Sequence, residues 1–520
     1  MLQKKILLYL AGIIILAGCT KLDERFLGDT TQGAIASNGG NTGTLLQSLY
    51  NNLEAVFTPH LTVFPLQELC TDEAIAPTRG TDWDDNGMWR VLHQQKWVSG
   101  NSVISDGFNK LNGLVFASTE LLGFNPTAQQ KAEARFIRAW AMFLELDLFD
   151  QVPYRDPGES VIQPSRVRQG VEALNYIISE LDSIQNDLPN GPASKANKDA
   201  DRVLLMKCYV NKAVYENRAN PVFNAEDMNK VISLADEIIK SSRNYQLAPN
   251  YFDNFAPDNS AIGKENIFTL LNEAGTTPNN GLWLAWGIPL HYSQAPATNG
   301  WTTLSKFYDK FEPNEKRRGM VYTTPNAPPN PANEINVGFL IGQQYDYFSG
   351  DPLGDGSGAP LIFTPEVHLI EAGPNYRSTG IRPVKYFPDW GPNYFSCDND
   401  FVFFRFSDVL LMKAEAIARG GAGTDVGSYG NTALSIVNSI RTHPSRAASA
   451  LSSVSPTDIY DERGRELWWE SWRRQDMIRF GKFLLNFQEK EYISDSKYLI
   501  YPIPDDQLAV NPNLKQNPGY

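Results

Sequence analysis

The chain has 520 residues, 42% of them apolar and 12% aromatic, and a formal charge of −13. That length carries one large domain or two to three ordinary ones. The acidic balance argues against a nucleic-acid partner, because a phosphate-binding face needs a lysine and arginine excess; it suits a neutral ligand.

At the N-terminus, Lys4 and Lys5 precede an apolar run from Ile6 to Ala17. The run is too short to cross a bilayer and fits the apolar region of a signal peptide. It ends in LAGCT, which resembles the bacterial lipobox. Leu16, Ala17 and Gly18 then flank the cut, residues 1–18 are removed, and Cys19 takes the lipid anchor, palmitate-like acyl chains. Several such chains hold stably where one holds only marginally. Residues 19–45, with TTQGAIASNGGNTG, read as a flexible tether. Asp23 and Glu24 resemble the acidic signal that sends Bacteroidetes lipoproteins to the cell surface. No later apolar run approaches the ~20 residues of a second span. Cys70, Cys208 and Cys397 contain no C-x-x-C and read as buried free thiols.

Helical periodicity then takes over across residues 46–260. Ile104, Phe108, Leu111, Val115, Ser118 and Leu122 share one face; so do Phe136, Trp140, Phe143 and Leu146. Further stripes are Val171, Leu174, Ile178, Leu181 and Ile184; Tyr209 and Ala213; and Met228, Val231, Ala235 and Ile238. Thr127 has the chemistry of an N-cap between the first two segments. Short turns between amphipathic helices imply antiparallel pairs that must stack to bury their stripes.

From 261 to 400 the texture is irregular and rich in Gly, Pro and Asn, with ENIFTLLN and RPVKYF as strand expectations. A long irregular region in a helical protein is more often functional than idle. From 401 to 520 helices return: SDVLLMKAEAIARG, NTALSIVNSIRTH, and DIYDERGRELWWESWRRQDMIRFGKF read as one helix. In that last helix, Glu470 to Arg473 and Arg474, and Asp476 to Arg473 and Arg479, have the spacing of intrahelical ion pairs.

Catalytic and metal motifs are missing. There is no H-E-x-x-H, G-x-S-x-G or G-x-x-x-x-G-K-[ST], and the five histidines lack metal-ligand spacing. Asp82, Asp84, Asn86 and Gly87 follow a calcium-loop template, but its bidentate twelfth position is His93. A calcium site of another kind at Asp82 and Asp84, or at Asp351 and Asp355 in GDPLGDGSG, is the residual metal reading. No metal, no cofactor and no catalytic residue is assigned.

The C-terminal third carries a family resemblance. FRFSDVLLMKAEAIARGG, ALSIVNSIRTH, IYDERGRELWWESWRRQDMIRFGKF and YLIYPIPDDQLAVNPNLKQNPGY follow each other in order. Together with AEARFIRAWAMFLELDLFDQVPY and the lipobox, they resemble the SusD/RagB family of Bacteroidetes outer-membrane lipoproteins. Glu462, Arg463, Glu466, Glu470, Arg473, Asp476 and Arg479 match its charged motif; Pro502, Pro504, Leu508, Asn511, Pro512, Leu514 and Gln516 to Tyr520 match its terminal one. Ser471 and Trp472 depart from it, since the family more often has Gly and then a small or aromatic residue there.

The resemblance implies a mostly α fold, with tetratricopeptide-like helix pairs in a right-handed scaffold and a loop-rich excursion carrying a few short strands. It implies nutrient uptake at the cell outer membrane: polysaccharide utilisation through capture of a glycan and its delivery to a SusC-like TonB-dependent transporter. It also implies ligand contacts from an early loop and from the middle of the chain. Sugar rings stack their C–H faces on aromatics, worth roughly 1 kcal/mol per contact, and their hydroxyls seek Asp, Asn, Gln or Arg. In the early loop TRGTDWDDNGMW, the residues with that chemistry are Arg79, Asp82, Trp83 and Asp84. In NNGLWLAWGIPLHYSQAPATNGW they are Trp283, Trp286, Tyr292, Asn299 and Trp301. A peptide importer's binding protein, a surface glycoside hydrolase and a helical adaptor are the alternatives.

Overall fold

A computed structural model describes residues 41–276, 283–324, 330–390 and 396–520. Cys19 and most of the expected tether lie outside the described residues. The first helix, α1 (Thr42–Phe57), begins within the last residues read as tether. After α2 (Val63–Glu68) and α3 (Met88–His93) come α4 (Ser102–Leu122), α5 (Ala128–Phe149), α6 (Gly170–Ile184), α7 (Lys198–Glu216) and α8 (Ala225–Ile239). Beyond the excursion stand α9 (Phe406–Ala418), α10 (Ala433–Arg441), α11 (Pro456–Leu467) and α12 (Arg473–Arg479). Residues 43–520 form one compact unit.

The helices α4 to α8 pack each on the next, and α8 then packs on α9, as stacked helix pairs require. Their apolar stripes are the reason. Ile104, Phe108, Leu111, Val115 and Ser118 of α4 are buried, as are Phe136, Trp140, Phe143 and Leu146 of α5. Thr127 caps α5 reciprocally with Gln130, satisfying two backbone donors. In α6 the buried face runs through Leu174, Ile177, Leu181 and Ile184, leaving Val171 and Ile178 at its edge. The three cysteines beyond residue 40 are buried and not disulfide-bonded.

The chain leaves the helical layer along Asn266–Leu270 and returns along Phe401–Arg405, which pair antiparallel. The strand expected within RPVKYF is Arg382–Val384, paired with Val337–Leu340. Two ladders tie the early loop to the excursion: Ala74–Ile75 antiparallel to Thr302–Thr303, and Thr78–Arg79 parallel to Ile370–Glu371. Segments separated by more than two hundred residues thereby meet at one edge.

The charged C-terminal motif is not one helix. It breaks between α11 and α12, where Trp469 (φ 60°) and Ser471 (φ 65°) adopt left-handed backbone. The Ser471 conformation is one glycine takes at little cost, which accounts physically for glycine as the commoner choice there. Of the expected intrahelical pairs, only Asp476–Arg479 forms, at 2.6 Å. The other partners are distant in sequence: Glu470 takes Lys385 and Arg405, Arg473 takes Asp72, and Arg474 takes Asp147. At the centre, Glu466 receives Arg317 at 2.7 Å and both Arg405 and Arg446 at 2.6 Å, all fully buried. Burial alone would raise the Glu466 carboxyl, but Arg446, Arg405 and Arg317 outweigh that and hold it well below its ordinary value. Glu462, ringed by Arg317, Arg465 and Arg441 against the same burial, is held at about 2.

Candidate ligand-binding site

The early loop is shaped by a tight hairpin. Arg79 and Asp82 exchange backbone hydrogen bonds of 2.9 and 3.1 Å across Gly80-Thr81. Gly80 sits at φ 68°, where an L side chain would be strained. The hairpin leaves Asp82 exposed at its end. Asp84 and Asp85, the acids that followed the calcium template or flanked it, act as local acceptors. Asp84 receives Arg90 Nη1 at 2.7 Å and Asp85 receives Trp89 Nε1 at 2.6 Å. Asp84 thus braces the loop. Among the described residues, no group of three or more His, Cys, Asp or Glu could hold a metal ion.

The tryptophans correct the expectation of a stacked platform. Trp301 (0% exposed) and Trp286 (1%) are enclosed and have no ring face for a ligand. Trp301 packs between Phe64, Trp89, Trp83 and Trp469, with ring centres 5.7–6.3 Å away. Aromatics bury so much area that core packing claims them first. Trp83 is half-buried, donates Nε1 to Thr298 O at 3.0 Å, and lies against Gly300, where a Cβ would come within 2.4 Å of the indole. Only glycine permits that approach. The Trp283 side chain lies outside the described residues.

Arg79 and Asn299 are also buried, and they act on backbone. Arg79 donates Nη1 to Tyr376 O (2.7 Å) and to Thr379 Oγ1, and Nη2 to Thr379 O (2.8 Å). Arg382 donates Nη2 to Arg377 O (3.2 Å) and Thr379 O (3.1 Å). Asn299 Nδ2 donates to Arg377 O at 2.9 Å. Burial lowers the Arg79 guanidinium to about 10, against the pull of Glu371. Arg382, buried and beside Arg79, is held well below its ordinary value. Three buried donors therefore hold the turn Asn375–Thr379 by its carbonyls.

That turn presents Tyr376 and Arg377, which the sequence reading passed over. Arg377 lies 6.0 Å from the Tyr292 ring centre and 5.3 Å from that of Tyr376, and its Nε donates to Tyr376 Oη at 3.0 Å. Tyr292 is 40% exposed, and Tyr376 lies over Gly80. Asp82 acts electrostatically on both Tyr292 and Arg377. Beneath Tyr292, burial first and then Arg382 lower the His291 imidazole to about 4, so it is neutral at neutral pH. The arrangement is a rim of two phenols, one guanidinium and one carboxylate, in which Tyr292 and Asp82 are exposed and Tyr376 and Arg377 half-buried. Flat apolar faces lie beside fixed donors and acceptors, which suits a hydroxyl-rich ring.

The SusD family's sequence profile matches residues 235–520. The chain belongs to the SusD family. It is 26% identical to the starch-binding protein SusD of Bacteroides thetaiotaomicron, over 88% of this chain and 85% of that one. A SusD superfamily protein from Parabacteroides distasonis aligns with a TM-score of 0.69 at 18% identity, covering 95% of this chain and 99% of that one. Surface glycan-binding protein A of B. thetaiotaomicron, solved with laminarihexaose, aligns with a TM-score of 0.66 at 16% identity, over 92% and 98%. These SusD-like neighbours share the helix-pair fold described above. Among the described residues, no helix of this SusD-family chain is long and apolar enough to cross a membrane.

Proposed function

We propose that the chain is a non-catalytic, glycan-binding lipoprotein of the outer surface, anchored through Cys19, that captures an oligo- or polysaccharide and delivers it to a SusC-like TonB-dependent transporter. The observation that carries the glycan reading is the rim of Tyr292, Tyr376, Arg377 and Asp82 on a base of buried donors. Its tyrosines offer stacking faces, and its single guanidinium and carboxylate offer paired hydrogen bonds to vicinal hydroxyls. The names of relatives point the same way: one is starch-binding and another was solved with laminarihexaose. Anchoring rests on the lipobox, and the transporter on family membership. A binder also fits better than a hydrolase, which needs two acids flanking one bond; Asp84, the nearest acid along the chain from Asp82, is engaged by Arg90.

The test is affinity electrophoresis in gels containing starch, laminarin and other neutral polysaccharides. The parent is retarded by at least one of them. Tyr292→Ala and Tyr376→Ala each weaken that binding about fivefold, as one ring contact of roughly 1 kcal/mol predicts, and leave the unfolding temperature unchanged. Parent-like retardation of both variants would show that the rim is not the site. A parent that no polysaccharide retards, but that binds peptides, would favour the importer alternative.

A further inference from the structure

The rim is assembled from three segments far apart in sequence, and one residue bears on all three. Asp82 comes from the early hairpin, Tyr292 from the middle of the chain, and Tyr376 with Arg377 from the turn at 375–379. Trp83 follows Asp82 directly and has left-handed backbone, at φ 59°. That conformation is costly for a bulky side chain and persists only where its surroundings over-determine it. Here Thr78 Oγ1 donates to Trp83 O at 3.4 Å, and the half-buried indole packs against Trp89 and Trp301, with ring centres 5.7 and 6.0 Å away.

The indole bears on the strip 298–300. Its Nε1 donates to Thr298 O at 3.0 Å, and a Cβ at Gly300 would overlap its ring. The same strip closes the loop that carries Tyr292. Thr298 N donates to Gly287 O at 2.8 Å, Gly300 N to Ile288 O at 2.7 Å and Asn299 N to Leu290 O at 2.9 Å. Between the two residues that meet the indole, Asn299 extends its amide to Arg377 O at 2.9 Å, from left-handed backbone of its own at φ 53°. The strip accepts the indole through its main chain, so the Nε1–H is a donor that substitution can remove without altering the strip.

We infer that Trp83 is a positioning residue of the rim: acting through the strip 298–300, it sets where Asp82, Tyr292 and Arg377 stand relative to one another. An indole that slips lets the strip shift, and the Tyr292 loop and the Arg377 carbonyl shift with it. The inference rests on the glycan reading of the preceding section. It gives Trp83 the alignment of the site, in place of the stacking face that its sequence neighbourhood suggests.

A double-mutant cycle tests it, read by isothermal titration of the full-length chain with glucan, mannan, xylan and galactan oligosaccharides. Trp83→Phe keeps a ring and removes the N–H donor. With the oligosaccharide that the parent binds, it is expected to weaken affinity about tenfold, against about fivefold for Tyr292→Ala. Because a misaligned Tyr292 has already lost its contact, the double variant is expected to stay near tenfold, well short of the roughly fiftyfold of independent losses. A merely structural loss would lower the unfolding temperature and leave Tyr292→Ala costing its full fivefold. Gly300→Ala, which drives the indole from its seat, replaces Trp83→Phe in the cycle if that variant does not fold. Additive losses overturn the role of Trp83 and leave the rim standing, as does parent-like binding by Trp83→Phe. Parent-like binding by both Tyr292→Ala and Tyr376→Ala overturns the rim and the role of Trp83 with it. No binding by the parent to any of the oligosaccharides overturns both.

Discussion

The ion-pair seam around Glu466 and the rim around Arg377 use the same residue types for opposite ends. In the seam, Arg317, Arg405 and Arg446 are fully buried and exchange charge-assisted bonds with carboxylates from distant segments. At the rim, Arg377 is half-exposed and has a phenol oxygen and two tyrosine rings for company. A third use is that of Arg79 and Arg382, buried but bonded to carbonyls. Burial and partner therefore decide what an arginine does here. Carboxylate partners make it a strut, carbonyl partners make it a cradle, and water makes it available to a ligand.

The comparison breaks most visibly in the seam. Glu466→Ala leaves three buried guanidiniums short of a carboxylate, and is expected to cost about 3–5 kcal/mol of stability in denaturant unfolding. A loss below about 1 kcal/mol would mean the seam is solvated. Trp301→Ala comes next, at about 3 kcal/mol from the cavity it leaves. If that variant instead kept the parent's stability and lost glycan binding, Trp301 would belong to the rim.

The smallest effect concerns the join between α11 and α12. Glu68 and Glu73 accept the backbone N–H groups of Ser471 and Trp469, holding the left-handed residues in place. Burial, opposed by Arg473, the Trp469 N–H and Lys385, pushes the Glu73 carboxyl up to about 8. A raised carboxyl contributes stability that is full below the ordinary glutamate value and is lost as pH rises through about 8. The parent is expected to lose about 1 kcal/mol between pH 7 and pH 9, and Glu73→Gln to lose less. Equal slopes for the two would remove Glu73 as the titrating group.

What was legible in the sequence follows the range of the interactions. The stripes of α4 to α8 and the cap at Thr127 depend on residues three or four apart, and the period exposes them. The charged motif at 462–479 was legible as a structural network, but its partners Lys385, Asp72 and Asp147 were not, because spacing within a helix says nothing of other segments. Trp286 and Trp301 looked like ligand platforms because their neighbours are polar and loop-like; three-dimensional enclosure leaves no local trace. Tyr376 and Arg377 were missed because only strand pairing between Thr78–Arg79 and Ile370–Glu371 brings their turn to the early loop.

The cradle of Arg79, Arg382 and Asn299 has an evolutionary consequence. It recognises the turn at 375–379 mainly through main-chain oxygens, which every amino acid supplies. The side chains at 376 and 377 are thus decoupled from the bonds that hold them in position. A lineage can exchange them without rebuilding the support; the turn is a replaceable tip on a permanent handle.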